Sequence, residues 1–375
     1  MTKSGDSRDT DAVPCELIRL GSYKWPRSET RQTLGHLYQK IRAGLSADVS
    51  QDAIDTQDLT LISDAPLKKE VLSILDQILG DMLERRYGEW VTETSNRNQR
   101  RAFVHPPLAN DLLSDWAEQH GLPVLHAENT LDDFPDAPCV VVPHLEAFFS
   151  RDTDQLAPLF DLFAAISRFE GKVLVGCNSW AWRYLKQFDD APLLFGEADT
   201  LPAFDGDALA AILERAASQN GDRNRFTSVS SGESILARDD DNELKDSYLE
   251  KLAGRSLGHP WIAVEMFFRS IAETKKKDEE SPADRIWVDL PATCSLPSAG
   301  ADALRFALHA LMIHGPRPIE ELNQLIPDRV PNGTWTELDR IGFVTVRDGH
   351  AQCAIHSYPD IRSELGTAGF NLDRL

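Results

Sequence analysis

Cysteine is scarce and unpatterned. The 375-residue chain has five, Cys15, Cys139, Cys177, Cys294 and Cys353, and none belongs to a C-x-x-C pair. That excludes a disulfide-stapled scaffold and a cysteine zinc ribbon, and it points to free thiols in a reducing compartment. Long apolar runs are missing too. None approaches the ~18 residues that span a bilayer, so no membrane insertion is expected. Met1 to Asp11 is polar and charged, unlike a secretory signal, and the expected location is cytoplasmic. Positive charge is short: 39 Lys and Arg stand against 60 Asp and Glu, for a net charge of −21. Such a surface repels nucleic acid and anionic membranes. No HExxH pair, Cys/His cluster or nucleophile elbow is read in the chain, so no other hydrolase chemistry is expected.

What the chain does have is an ordinary apolar content, 42%, and enough length for two or three domains. The most ordered pattern lies between Arg100 and Gly196. Five short apolar runs occur there: Ala102–His105, Leu122–His126, Cys139–Val142, Val173–Cys177 and Pro192–Phe195. Runs without strict alternation suit strands buried on both faces of a parallel sheet. The segments between them are long enough for crossovers, several of them helical. The reading is a doubly wound α/β core with its functional residues at the strand ends.

The first run continues Phe103-Val104-His105-Pro106-Pro107-Leu108-Ala109-Asn110-Asp111. A phosphate-binding loop at this place needs successive backbone N–H groups and a lysine. This stretch has no Gly, Lys, Ser or Thr, and Pro106 and Pro107 have no N–H. Asp111 adds a charge of the wrong sign. The third run passes into Pro143-His144-Leu145-Glu146. His144 reads as a hydrogen-bonded structural residue, and Glu146 as displaced into the next helix. The fourth run ends in Asn178, read as the cap of the helix that follows.

Elsewhere, helical spacing predicts helices over Glu29–Leu45 and from Pro66 to Trp90. The second carries a broad stripe that includes Leu75, Ile78 and Met82. Residues 218–243 read as a flexible loop. Two helices, Leu244–Ala253 and Pro260–Glu273, flank a Gly-Arg-Ser-Leu-Gly-His-Pro turn. Helices over Ala303–Ile313, Pro318–Leu325 and Thr334–Ile341 precede two strands joined by Asp348-Gly349, a hairpin signal. Residues 301–358 hold five arginines and seven carboxylates, a net of −2. Phosphate contact asks for clustered cations, so a protein-contacting role is favoured there.

From Arg100 onward these segments resemble the P-loop ATPases of the AAA-like group, of origin-recognition and STAND type. The resemblance lies in element order rather than in sharp motifs. It implies an α/β fold: a five-stranded parallel ASCE P-loop-ATPase-like core with a helical lid and a C-terminal winged helix. The implied domains are an N-terminal helical region with a disordered start (1–97), the core (98–200), the lid (201–275), a linker (276–300) and the winged helix (301–375). Degenerate positions follow from it: His105, Pro106 and Pro107 for the Walker A loop, His144 for the Walker B acid, Asn178 for sensor 1, and Arg255 near sensor 2. No catalytic residue, cofactor or metal ligand is expected. The expected function is that of a pseudo-ATPase scaffold or regulatory subunit, with enzyme activity not favoured. Its expected partner is a protein, either an active ATPase relative or a second copy of this chain. The alternatives are a divergent ATP-binding ATPase and a winged-helix DNA-binding regulator. The N-terminal region is expected to form the interface, so that removing residues 1–97 leaves the remainder folded.

Overall fold

Val140, Val141, Val142, Val173, Leu174 and Val175 are wholly buried. Runs of β-branched and aliphatic residues covered on both faces form neighbouring parallel strands, and these do. The computed structural model describes residues 13–26, 59–61, 67–93, 98–108, 111–129, 135, 137–150, 156–187, 194–220, 226–274, 286–298, 300–326 and 330–374. The helix expected over Glu29–Leu45 lies outside the described residues.

In chain order the strands are β1 (Ile18–Arg19), β2 (Leu59–Leu61), β3 (Arg100–His105), β4 (Cys139–Val142), β5 (Lys172–Asn178), β6 (Asp199–Thr200), β7 (Phe226–Ser228), β8 (Ile271–Thr274), β9 (Ile286–Val288), β10 (Arg317–Pro318), β11 (Val344–Arg347) and β12 (His350–Cys353). Contacts group the chain into two compact units. One comprises residues 16–23, 79–202 and 293–375, the other residues 1–15, 24–78 and 203–292.

The first unit holds a sheet ordered β1-β6-β3-β5-β4. Its β6–β3, β3–β5 and β5–β4 pairs are parallel, and β1 adds an antiparallel edge. The sheet is therefore mixed, not wholly parallel as expected. Leu122–His126 is not a strand, and of the run Pro192–Phe195 the described residues, Leu194 and Phe195, pair with no strand. Leu122–His126 makes only a bridge, Val124 to Val141, with Pro123 supplying a carbonyl but no N–H. Asn129 Oδ1 then takes the His126 N–H at 2.7 Å and turns the chain away. Phe195 packs its ring near Phe163 and Trp182 instead of pairing. The place between β1 and β3 goes to the polar pair Asp199–Thr200, which apolar patterning could not find.

The same unit carries four C-terminal helices, Ala301–His314, Ile319–Gln324, Thr334–Ile341 and Tyr358–Thr367, and a three-stranded antiparallel sheet ordered β10-β12-β11. Asp348 and Gly349 join β11 to β12 with φ of 49° and 75°, the two positive values of a tight hairpin turn.

The second unit, which takes in the expected lid (201–275) with parts of the expected N-terminal region and linker, contains a four-stranded sheet, β2-β8-β9-β7. Strand β7 lies in the stretch expected to be a loop, and β9 in the expected linker. Both are short and wholly buried, and neither has the length or alternation that marks a strand in sequence.

The helix expected over Pro66–Trp90 begins at Lys68, because Leu67 has φ of 68°. It runs to Leu83, widens through a π turn at Glu84–Gly88 and resumes over Glu89–Thr92. Leu75, Leu79, Met82 and Leu83 are fully buried. These four positions of the stripe are covered by the chain itself, while Ile78 is half-buried.

Candidate functional site

The C-terminal ends of β3, β4 and β5 bring together His105, His144, Glu146 and Asn178. Ligands of open α/β sheets gather at such strand ends, where the strand order reverses. Here β3 is followed in sequence by β4, two positions away, and β5 lies between them.

His105 closes β3 at 2% exposure. Its Nδ1 lies 2.7 Å from Pro106 O. A carbonyl only accepts, so the neutral ring carries its proton on Nδ1 and its lone pair on Nε2. Burial pushes its pKa down, and the nearby Glu146 charge works in the opposite direction. Pro106 O also accepts the Leu108 N–H at 2.7 Å. Pro106 and Pro107 have no N–H, and that of Leu108 is used inside the turn. No donor is therefore left between 106 and 108 to cradle a phosphate.

Glu146 corrects the sequence reading. It lies in a short 3-10 turn, Leu145–Phe148, and not in a long helix. Its carboxylate is 6% exposed and sits at the strand ends. Oε2 accepts the Asn178 N–H at 3.1 Å, and Oε1 stands 3.4 Å from His144 Nδ1. Burial works to raise its pKa, but contact with His144 and the charges of His144 and His105 hold it below the ordinary carboxylate value. For His144, burial works downward and is outweighed by the contact with Glu146 and by the Glu146 and Asp111 charges, which hold the ring above its usual value.

The carbonyl groups of this turn are fixed from the C-terminal region. Arg317 Nη2 donates to Glu146 O, Ala147 O and Phe149 O at 3.1, 3.1 and 3.3 Å. Gly176 lets the turn lie across β5. A Cβ at that position would stand 2.1 Å from Pro143 O, so no larger residue fits without moving backbone.

Asn178 is the N-cap of the helix Ser179–Leu185, its Oδ1 accepting the Ala181 N–H at 2.7 Å. Its Nδ2 donates to Ile313 O at 3.1 Å. Both polar atoms of the side chain are thus engaged by the chain itself. Arg255 is not brought to this site. It belongs to the other unit, where its guanidinium donates to Pro291 O.

Beside His144 and Glu146 lies a cavity of about 330 Å³. Its polar lining includes Asp111, His126, Glu128 and His314. Of these only Asp111 was singled out from sequence. The others are far apart in the chain, and no local pattern joins them.

The pentapeptide Gly254-Arg255-Ser256-Leu257-Gly258 has the G-x-S-x-G spelling of a nucleophile elbow, which the sequence reading did not register. An elbow is a strand-to-helix turn that exposes its serine. Here the pentapeptide joins the helices Tyr248–Arg255 and Pro260–Arg269. Ser256 is 0% exposed and donates to Ala253 O at 3.1 Å. The stretch is a buried helix–helix turn.

No family model matches the chain, and no curated protein does. Among solved structures it is similar to the ORC2 protein of Aeropyrum pernix in its ADPNP-ADP complexes, at 12% identity and a TM-score of 0.28, covering 85% of this chain and 97% of that one. A structure described as the basis for katanin self-assembly aligns at 11% identity and a TM-score of 0.29, over 75% of this chain and 98% of that one. Cdc6p of Pyrobaculum aerophilum aligns at 13% and 0.22, over 82% and 95%. Matches this loose transfer no ligand, activity or partner.

Proposed function

We propose that this chain is a non-catalytic, ATPase-like regulatory protein that works through contacts with other proteins. The observation that supports this reading is the turn after β3. Two prolines and an internally bonded Leu108 N–H stand where a nucleotide-binding relative would offer its phosphate cradle. Asn178, at the sensor position, has both side-chain atoms engaged by the chain. The C-terminal helices and hairpin are read as a winged helix serving protein contact.

The test is thermal melting of the full chain with and without millimolar Mg-ATP or Mg-ADP. A ligand at a hundredfold excess over its Kd stabilises the native state by about 2.7 kcal/mol. The expected result is an unchanged melting temperature. A clear upward shift would overturn the reading in favour of a divergent ATPase. One observation favours that second reading: Glu146 is a buried carboxylate at the strand ends, where such an enzyme needs an acid.

A further inference from the structure

We propose that His105, His144 and Glu146 form a binding site for a divalent transition metal of the zinc type, with the remaining coordination position opening on the adjacent cavity. The proposal goes beyond the regulatory reading and does not depend on it. It also departs from the sequence expectation that His144 is structural and that no metal is held.

The donor set carries the argument. Each of the three residues offers a ligand atom within 4.8 Å of the others. Two imidazoles and a carboxylate are a recurrent zinc set, with a water or substrate completing the tetrahedron. Bonds of about 2.1 Å in a tetrahedron place ligand atoms about 3.4 Å apart. His144 Nδ1 and Glu146 Oε1 are 3.4 Å apart, longer than a good charge-assisted hydrogen bond and suited to two ligands of one ion.

The surroundings have the features that orient metal ligands. His105 holds a backbone carbonyl with Nδ1, which leaves Nε2 as the basic nitrogen. Glu146 Oε2 is held by the Asn178 N–H, and Arg317 anchors the carbonyl groups of the Glu146 turn. His144 and Glu146 both line the cavity, which gives an ion an open side. Asp111 and Glu128 in that lining add negative charge that favours a cation. Two nitrogen donors select zinc, cobalt or nickel over Mg²⁺, which takes oxygen ligands. The site is therefore chemically unlike the magnesium site of an ATPase.

The experiment uses the full chain stripped with a chelator, then dialysed against Zn²⁺ and, separately, Co²⁺, with excess Mg²⁺ present as a competitor that prefers oxygen ligands. Metal per chain is read by elemental analysis, and Co²⁺ geometry by its visible absorption. The expected result is about one Zn²⁺ per chain and a tetrahedral Co²⁺ spectrum. Loss of an outer-shell partner typically costs 10- to 100-fold in affinity, so loss of a ligand should cost more than about a hundredfold. His144→Ala is the deciding variant, because its side chain is more exposed than those of His105 and Glu146, and its folding is checked by circular dichroism. Glu146→Gln should behave alike where it folds by circular dichroism. His350→Ala, on the exposed hairpin, should bind as the wild type does. Substoichiometric binding by the wild type, or undiminished binding by His144→Ala, would overturn the proposal. The nucleotide melt reads the regulatory reading separately.

Discussion

Asp199 shows how one residue can hold several segments. It is 2% exposed and accepts from Arg86 Nε at 2.8 Å, from Arg86 Nη2 and Arg19 Nη1 at 3.0 Å, and from Tyr87 Oη at 3.0 Å. Its donors come from β1 and from the π turn. Burial, together with the Asp199 charge, pushes the Tyr87 hydroxyl well above its ordinary pKa, so it remains a donor. Removing one partner of a buried charge pair costs about 3–5 kcal/mol. The arginines here are partly exposed and can be rehydrated, so the lower end applies. Asp199→Ala should lower the unfolding free energy by about 3 kcal/mol in urea titration. A loss below about 1 kcal/mol would show that water serves these groups as well as the carboxylate does. The cysteines give a second residue-scale outcome. Burial pushes the Cys139 thiol up to about 12, and it raises Cys177 and Cys353 as well, with Glu146 adding to the shift at Cys177. A thiol reagent at pH 8 should modify the exposed Cys15 and leave these three unmodified until the protein unfolds. Mass spectrometry of the labelled native protein checks this, and early labelling of Cys177 would contradict the burial.

Among elements, the helical segment from Lys68 to Thr92 decides what the N-terminal region does. Its apolar spacing was legible, but the surface it covers was not, because periodicity shows that a face is buried and not against what. Tyr87 and Trp90 are 0% and 5% exposed, and the Lys172 ammonium, buried at the start of β5, donates to Trp90 O and Glu93 O. Carbonyl groups at a helix C-terminus suit a cation. Deleting residues 1–97 would strip β1 from the sheet and leave a buried ammonium without those acceptors. The truncated chain, 98–375, should therefore be insoluble or lack a cooperative melt, contrary to the expectation from sequence. A soluble fragment with a sharp thermal transition would show that the sheet closes without this segment. The C-terminal hairpin turn was readable because Asp348-Gly349 has a conformational reason to be a turn, although the second strand, expected over Ala351–His356, spans His350–Cys353. Strand β6 was not, since Asp199 and Thr200 pair through the backbone and through Thr200 Oγ1 to Val104 O at 2.7 Å, with no apolar signature. The candidate site was half legible. Asn178 before a helix reads as a cap, whereas the approach of His105 to His144 and Glu146 depends on β5 lying between strands that follow one another in sequence.

For the whole molecule, the question left by the C-terminal helices and hairpin is whether they bind nucleic acid. The net charge of −21 opposes it in bulk, but a local basic face could prevail, so the arginines must be placed. Arg305 stands 3.2 Å from Asp302 and 3.5 Å from Glu364. Arg317 pairs with Glu321 at 3.3 Å and holds the carbonyl groups of the Glu146 turn. Arg340, on the helix that would enter a groove, pairs with Glu337 at 2.6 Å. Each of these cations would have to leave a carboxylate to meet a phosphate, and the carboxylate would then face the DNA. Non-specific affinity comes from cations that displace counterions, and its salt dependence counts them. Duplex DNA should therefore give no shift at micromolar protein and physiological salt, and at low salt no more than weak binding with a shallow slope. Charge reversal on the engaged helix gives the sharper measurement. Glu337→Lys frees Arg340 and adds a cation, so it should raise low-salt DNA binding from that baseline, read by fluorescence anisotropy. If the wild type binds DNA at physiological salt and Arg340→Glu abolishes it, these pairs open on contact and the module is a nucleic-acid reader.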